Sequence, residues 1–452
     1  MLFDATSYIN NPLRRKIARS YLQDETESVI ALLDAMSNTD YDTHAIQQQA
    51  RQFVSQLRSE NKNQSGIDLL LHEYDLSSQE GVVLMCLAEA LLRIPDAATA
   101  DKLIKDKLAQ SNWEQHIGST ESFYVNAATW GLLLTGTLVN LDKTVSQEPY
   151  KFVSQLISRS GAPFVRAALK EAMSILGKMF ILAHDIETAI AVTRKPGTPA
   201  QAYSFDMLGE AARTADDARH YYNAYLHAIQ AIAQSYSGAS ETQPAPGISV
   251  KLTALHPRFE LARREQVLRE LLPGLITLCR HAAAANIQLT IDAEESERLD
   301  LTLDIFTALT TSELPDNWHG LGIAVQAYQK RALAVLEWLI QLAQAQQRRF
   351  TVRLVKGAYW DSEIKHAQEQ GLSGYPVYTR KAATDVCYLY CAHILLEHRE
   401  ILYPQFATHN AHTISAILHM AGNTDGYEFQ RLHGMGEVLY QVVERALSTA
   451  PP

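Results

Sequence analysis

The chain has 452 residues, 47% of them apolar and 20% charged, and a net charge of −10. That length supports two or three units with a large buried core, and the acidic balance argues against a nucleic-acid surface, which normally carries a basic patch. No apolar run reaches the ~18 residues of a membrane-crossing helix. The opening MLFDATSYINNPLRRK lacks the apolar core of a secretory signal, and the four cysteines (Cys86, Cys279, Cys387, Cys391) form no CxxC pair. A cytoplasmic protein with thiols packed in its core is expected.

The first ~190 residues read as nearly all helix. DETESVIALLDAM (24–36) and SSQEGVVLMCLAEALLRI (77–94) place apolar residues at i, i+3, i+4 and i+7, and DAATADKLIKDKLAQ (96–110) and APFVRAALKEAMSILGKMFIL (162–182) are also amphipathic. By itself this region predicts a helical arm and helical domain, with no chemistry attached.

The pattern changes near Thr198. Seven strand-like runs follow: AYSFDML, GISVKLTAL, IQLTIDAE, GLGIAVQAY, RFTVRLVKGA, LYPQFATH and YEFQRLHG, with helical stretches such as RREQVLRELLPGLITLCRHAAAA between them. Alternating β and α segments imply right-handed crossovers and a parallel sheet. A (β/α)8 barrel and a doubly wound sheet share that alternation. Nearly every run ends in polar groups: Asp206, His256, Asp292 with Glu294, Gln326, Arg353 with Lys356, His409 and His433. Contributions from many strand ends favour the TIM-type barrel, because a doubly wound sheet concentrates its site at one switch point. The expected division is a helical region, 1–190, and a barrel, 191–452.

No GxGxxG or Walker loop is present, which disfavours a Rossmann site and a P-loop. The densest constellation is RLVKGAYWDSE (353–363). Gly357 would let backbone approach a phosphate closely, Lys356 could neutralise it, and an exposed Trp360 could stack on a flat heterocycle. A salt-bridged strand end with Trp360 as core filler fits the same residues. Lys251 and Asp292 follow neighbouring strands and could form either a structural bridge or a catalytic pair. His409 and His412 could suggest zinc, but no HExxH or third ligand accompanies them; an anion at a helix start suits them better and no metal is expected.

Six blocks then occur in order: GISVKLTALHPRF, IDAEESERLDLTLDIF, VQAYQKRA, RLVKGAYWDSEIKHAQEQGLSGYPVYTRKAATDVCYL, PQFATHNAHTISAI and YEFQRLHGMGEVLY. Together they resemble the proline dehydrogenase domain of the bifunctional proline utilization A flavoenzymes. SFDMLGEAA (204–212) is similar to that family's first strand and turn, and FYVNAATWGLLLTG (123–136) to its helical arm. The resemblance implies a distorted barrel binding FAD without a covalent bond. In it, Arg353 sits near flavin N5 and Gln326 near the pyrimidine carbonyls. Val355, Lys356, Gly357 and Ala358 cradle the ribityl and pyrophosphate groups, and Trp360 packs on the adenine. Thr379, Thr408, His409 and Asn410 complete the phosphate and ribose contacts. Asp206, Lys251, Asp292 and Leu432 line the proline pocket, and Glu210 is the acidic member of a gating ion pair.

The implied reaction is hydride transfer from L-proline to flavin, giving pyrroline-5-carboxylate, with electrons passed to a quinone. Lys251, Asp292 and Arg353 are its candidate catalytic residues. The resemblance also implies a homo-oligomer with peripheral contact at the inner membrane and an aldehyde dehydrogenase half on the same longer polypeptide. That half has no counterpart in these 452 residues. Some longer relatives begin with a DNA-binding ribbon-helix-helix; the N-terminus here has no basic strand, so no DNA binding is expected. Rival readings are another flavin-dependent barrel oxidoreductase and an inactive scaffold. Seven strand-like runs, with no tandem arginine after the last, predict a barrel missing its eighth βα unit and a chain that is a fragment of a longer one.

Overall fold

The computed structural model describes residues 11–37, 39, 41–60, 181–195, 201–236 and 246–449. The helical readings at 77–94 and 96–110, the block 123–136, Cys86 and nearly all of 162–182 lie outside them. Two compact units emerge, the first comprising 1–54 and 184–431 and the second 55–183 and 432–452.

The first unit is built on seven parallel strands in sequence order: β1 (Ser204–Asp206), β2 (Gly247–Val250), β3 (Gln288–Ile291), β4 (Leu321–Gln326), β5 (Phe350–Val355), β6 (Leu402–Ala407) and β7 (Glu428–Gln430). Each of the seven expected runs supplies one strand. The run GISVKLTAL stops at Val250, and Leu252–Leu255 turns into a short helix. Helices cross between strands, the longest being Ala215–Tyr236 and Arg264–Ala284. Parallel strands need such crossovers, and covering both faces buries β2 and β4 throughout.

Alternate residues divide between two faces. Phe350, Val352, Leu354 and Phe406 are fully buried, and the rings of Phe306 and Phe350 meet edge-on at 5.3 Å. The opposite face is small or polar. A Cβ on Gly322 would lie 3.1 Å from Thr290 Oγ1 and overlap Thr351 Oγ1, so glycine is required where these three meet. Barrel interiors are usually filled by branched aliphatic residues; this one is lined by Ser204, Ser249, Thr290, Thr351, Arg353 and Gln405.

Side chains that span this face show the sheet to be curled. The Arg353 guanidinium of β5 donates to Ser204 Oγ of β1 at 3.0 Å and to Ser249 Oγ of β2 at 2.8 Å. In a flat sheet β5 and β1 would lie roughly 19 Å apart, beyond the reach of one side chain. Gln405 of β6 likewise reaches Gln288 of β3 at 3.0 Å. Among the described strands, β1 pairs with β2 alone and β7 with β6 alone, so the seven described strands form a curled half-barrel that is open between β1 and β7.

Three N-terminal helices, Pro12–Arg19, Glu25–Ser37 and Thr43–Glu60, precede the barrel. Asn11 caps the first by accepting from the amides of Leu13 and Arg14, and Pro12 occupies its first turn. Arg14, 5% exposed, pairs with Asp304 at 2.8 Å, and Arg264 pairs with the other oxygen of the same carboxylate at 2.6 Å. The first helix is thereby fastened to the crossover helices Leu299–Thr310 and Arg264–Ala284. In the second unit, Arg445 of the helix Glu437–Thr449 pairs with Glu60 at 2.7 Å.

Candidate active site

The carboxyl ends of the strands gather most of the expected residues. Lys251, directly after β2, extends its ammonium among three carboxylates: Glu210 Oε1 at 2.8 Å, Asp206 Oδ1 at 3.0 Å and Asp292 Oδ2 at 3.4 Å. Asp292, directly after β3, also accepts from Arg353 at 3.0 Å. Burial disfavours the Lys251 ammonium, but Asp206, Asp292 and Glu210 outweigh it and raise the pKa. Burial is the main cause raising both Glu210 and Asp292; Lys251 opposes it at the first, and Arg353 with Lys251 opposes it at the second. Two cations and three carboxylates therefore form one connected cluster. Its ammonium is held protonated, which unfits Lys251 as a general base and suits it to electrostatic work.

Arg353 is fixed from four directions. Besides Ser204, Ser249 and Asp292, it donates from Nε to Gln430 Oε1 at 2.8 Å. Four partners from β1, β2, β7 and the end of β3 pre-organise the guanidinium, which a charge-stabilising group requires. Ser204, Ser249 and Gln430 escaped the sequence reading because a serine or glutamine in a strand carries no sign of which arginine it will meet.

Residues after β4 and β5 form an adjoining cradle. Gln326 donates to the Glu294 carbonyl at 2.8 Å and accepts from the Ala358 amide at 3.4 Å. Gly357 has φ of +136°, and a Cβ there would overlap the Tyr328 ring. The close approach this glycine permits is thus to Tyr328. Gly357 and Ala358 are exposed, as is Val355 in part. Trp360 begins the helix Trp360–Glu369, donates its indole N–H to the Tyr378 carbonyl at 2.9 Å, and remains 42% exposed. Its ring is therefore not core filler. The Lys356 ammonium contacts Asp385, which Lys381 also reaches at 2.7 Å.

At the β6 end the polar groups are engaged locally. Asn410 caps the helix Ala411–Ala421 by accepting from the Thr413 amide at 3.0 Å, and Thr408 Oγ1 accepts from the Asn410 amide at 3.2 Å. Partial burial, with Arg431 nearby, lowers the His409 pKa. The Thr379 amide donates to the Glu25 carboxylate at 2.9 Å. Leu432 is 62% exposed and belongs to the second unit. Cys279, Cys387 and Cys391 are buried free thiols, the last two with sulfurs 3.9 Å apart. Among the described residues no cluster of three or more metal-ligating side chains occurs, and no helix is long and apolar enough to cross a membrane.

The family model described as proline dehydrogenase matches residues 189–450, more than half of the chain. The chain belongs to the proline dehydrogenase family. Two further models match in front of it: the proline utilization A proline dehydrogenase N-terminal domain over 11–58, and the DNA-binding domain of proline dehydrogenase over 66–180. The latter runs against the expectation of no DNA binding, which rested on the net charge of −10 and on the lack of a basic strand at the N-terminus.

The chain is also similar to curated bifunctional proteins. The bifunctional protein PutA of Escherichia coli is 48% identical over 95% of this chain, and that of Rhizobium meliloti 46% identical over 95%. These matches cover 33% and 35% of those relatives, so the chain spans about a third of their length. A solved Bradyrhizobium japonicum proline utilization A mutant is 42% identical, with a TM-score of 0.69 over 95% of this chain and 42% of that one.

Proposed function

We propose that the chain oxidises L-proline to pyrroline-5-carboxylate with FAD as the immediate electron acceptor and a quinone after it. The observation that carries this reading is the Lys251–Asp292–Arg353 cluster beside the exposed Trp360 ring. The donor set suits a flavin dinucleotide: a fixed guanidinium, a primary amide, an exposed aromatic face, and open backbone at Gly357 and Ala358.

When bound, FAD supplies a two-electron acceptor for the hydride leaving proline C5. Arg353 would face its N5 edge, where a fixed positive charge stabilises the electron density that arrives. Gln326 would serve the pyrimidine carbonyls. Val355, Lys356, Gly357 and Ala358 would hold the ribityl and pyrophosphate groups, with Lys356 shared between a phosphate and Asp385. Trp360 would pack on the adenine, and Thr379, Thr408, His409 and Asn410 would complete the phosphate and ribose contacts.

Asp206, Lys251 and Asp292 would line the proline pocket. The substrate nitrogen must lose its proton, to solvent, before hydride leaves, and the protonated Lys251 beside it would favour that loss by disfavouring a second positive charge. Carboxylates on three sides keep this ammonium from repelling a cationic amine outright. Glu210 would act as the acidic half of a gate, resting here on Lys251. The helical residues 1–190 and barrel residues 191–452 are the two parts of this reading.

In the longer polypeptides that this chain resembles, an aldehyde dehydrogenase part would consume the product. A membrane quinone as acceptor fits peripheral contact at the inner membrane, and the resemblance implies a cytoplasmic homo-oligomer. The test is product formation: proline supplied with a soluble quinone should yield an imine product trapped by an aromatic amino-aldehyde. Flavin-loaded protein that yields no trapped product would overturn the reading.

A further inference from the structure

We propose that the N-terminal segment Tyr21–Ser28 is a brace for the cofactor cradle, with Ser28 a positioning residue acting on Trp360 through Tyr378. This rests on the reading above that Trp360 packs on the adenine of FAD.

The connection is continuous and largely buried. Ser28, in the helix Glu25–Ser37, is 6% exposed, and its hydroxyl shares a hydrogen bond of 2.8 Å with that of Tyr378, which is 1% exposed. The carbonyl of the same Tyr378 accepts the Trp360 indole N–H. The next amide, Thr379, donates to the Glu25 carboxylate, one helical turn before Ser28. The Tyr378 amide donates to the Tyr328 carbonyl at 2.8 Å, and the Tyr328 ring is the one packed on Gly357. A single loop, 376–379, therefore touches the brace on one side and the indole on the other, and reaches the Gly357 turn through Tyr328.

The brace is itself anchored. Lys330 donates to the Gln23 carbonyl at 2.8 Å, while the Lys330 amide donates to the Pro376 carbonyl at 3.1 Å. Arg331, 2% exposed, lies over the Tyr21 ring at 4.7 Å and pairs with Asp300 at 3.1 Å. Two consecutive cations after β4 thus grip the segment that holds the loop. An exposed indole has few contacts to fix its plane, so its orientation depends on this one hydrogen bond to a loop that the brace keeps still.

The test measures the rate of flavin release from the loaded protein on dilution, followed by the rise in flavin fluorescence. The variants are Ser28→Ala, Tyr378→Phe, Trp360→Ala and the doubles with Trp360→Ala. Ser28→Ala and Tyr378→Phe should each speed release about fivefold, the size of one hydrogen bond, and should add nothing once the indole is absent. Should Ser28→Ala not fold, Tyr378→Phe keeps the ring, removes the same bond and carries the test. Release unchanged in both single variants, or accelerated equally when Trp360 is already alanine, would overturn the proposal. A parent protein that carries no flavin would defeat the site reading and this proposal together; a flavin-loaded parent with unchanged variants defeats this proposal alone.

Discussion

Arg353 and Asp292 illustrate how a barrel interior turns strand ends into chemistry. The guanidinium has four partners and the carboxylate two cations, so neither position is set by a single contact. Arg353→Met should leave the barrel folded but slow reduction of bound flavin by about 10²-fold, the usual cost of one pre-organised charge stabiliser. Rapid-mixing kinetics on fully flavin-loaded variant would read this, and parent-like rates would remove Arg353 from the N5 role. Of this cluster, Lys251, Asp292 and Arg353 stood out in the sequence as ionisable residues at strand ends, and only the resemblance gave them roles. The serines and Gln430 were not, since their meaning comes from the curl of the sheet.

A second residue-scale test concerns Glu428, on β7. Its carboxylate accepts from Gln405 and Gln430 at 2.9 and 2.8 Å, and burial is the main cause raising its pKa. A carboxyl whose folded pKa is raised holds its proton longer in the native than in the unfolded chain. Stability therefore falls as pH rises from about 4.3, the unfolded value, through the folded value, and then levels. Glu428→Gln keeps the acceptor oxygen and removes the titration. Urea midpoints measured across that window should lose this fall in the variant, and an identical pH profile would contradict the assignment.

At the scale of elements, the seven strands and the principal crossover helices were readable from periodicity, because buried parallel strands are short apolar runs between longer amphipathic ones. The run after β2 was not, since Leu252–Leu255 has the same composition in a strand or a helical turn. Asn410 separates two roles that sequence could not distinguish. The resemblance makes it a cofactor contact, while the structure makes it the cap of Ala411–Ala421. Asn410→Ala should cost about 1 kcal/mol of stability in flavin-free protein, and Asn410→Asp should restore most of it. Thermal melts of the stripped proteins would decide; an alanine variant as stable as the parent would show the cap to be incidental.

The first unit is built on a curled seven-stranded sheet whose first and last strands each lack a second neighbour among the described residues. Both edge strands are only three residues long, which limits their capacity to pair with other chains. Arg353 reaches both through Ser204 and Gln430, so one guanidinium serves the site and ties the open side. The expected seven strands were legible because each run is separated by a helix. How the arm helices pack was not, because ion pairs such as Arg14–Asp304 join residues 290 apart. The function proposed for this chain is the passage of electrons from proline to flavin. L-Proline added without oxygen to the flavin-loaded protein, with visible absorbance recorded, puts that passage to the test. Bleaching of the flavin bands that returns on adding a quinone is the predicted result; a loaded protein whose spectrum proline leaves unchanged would contradict it.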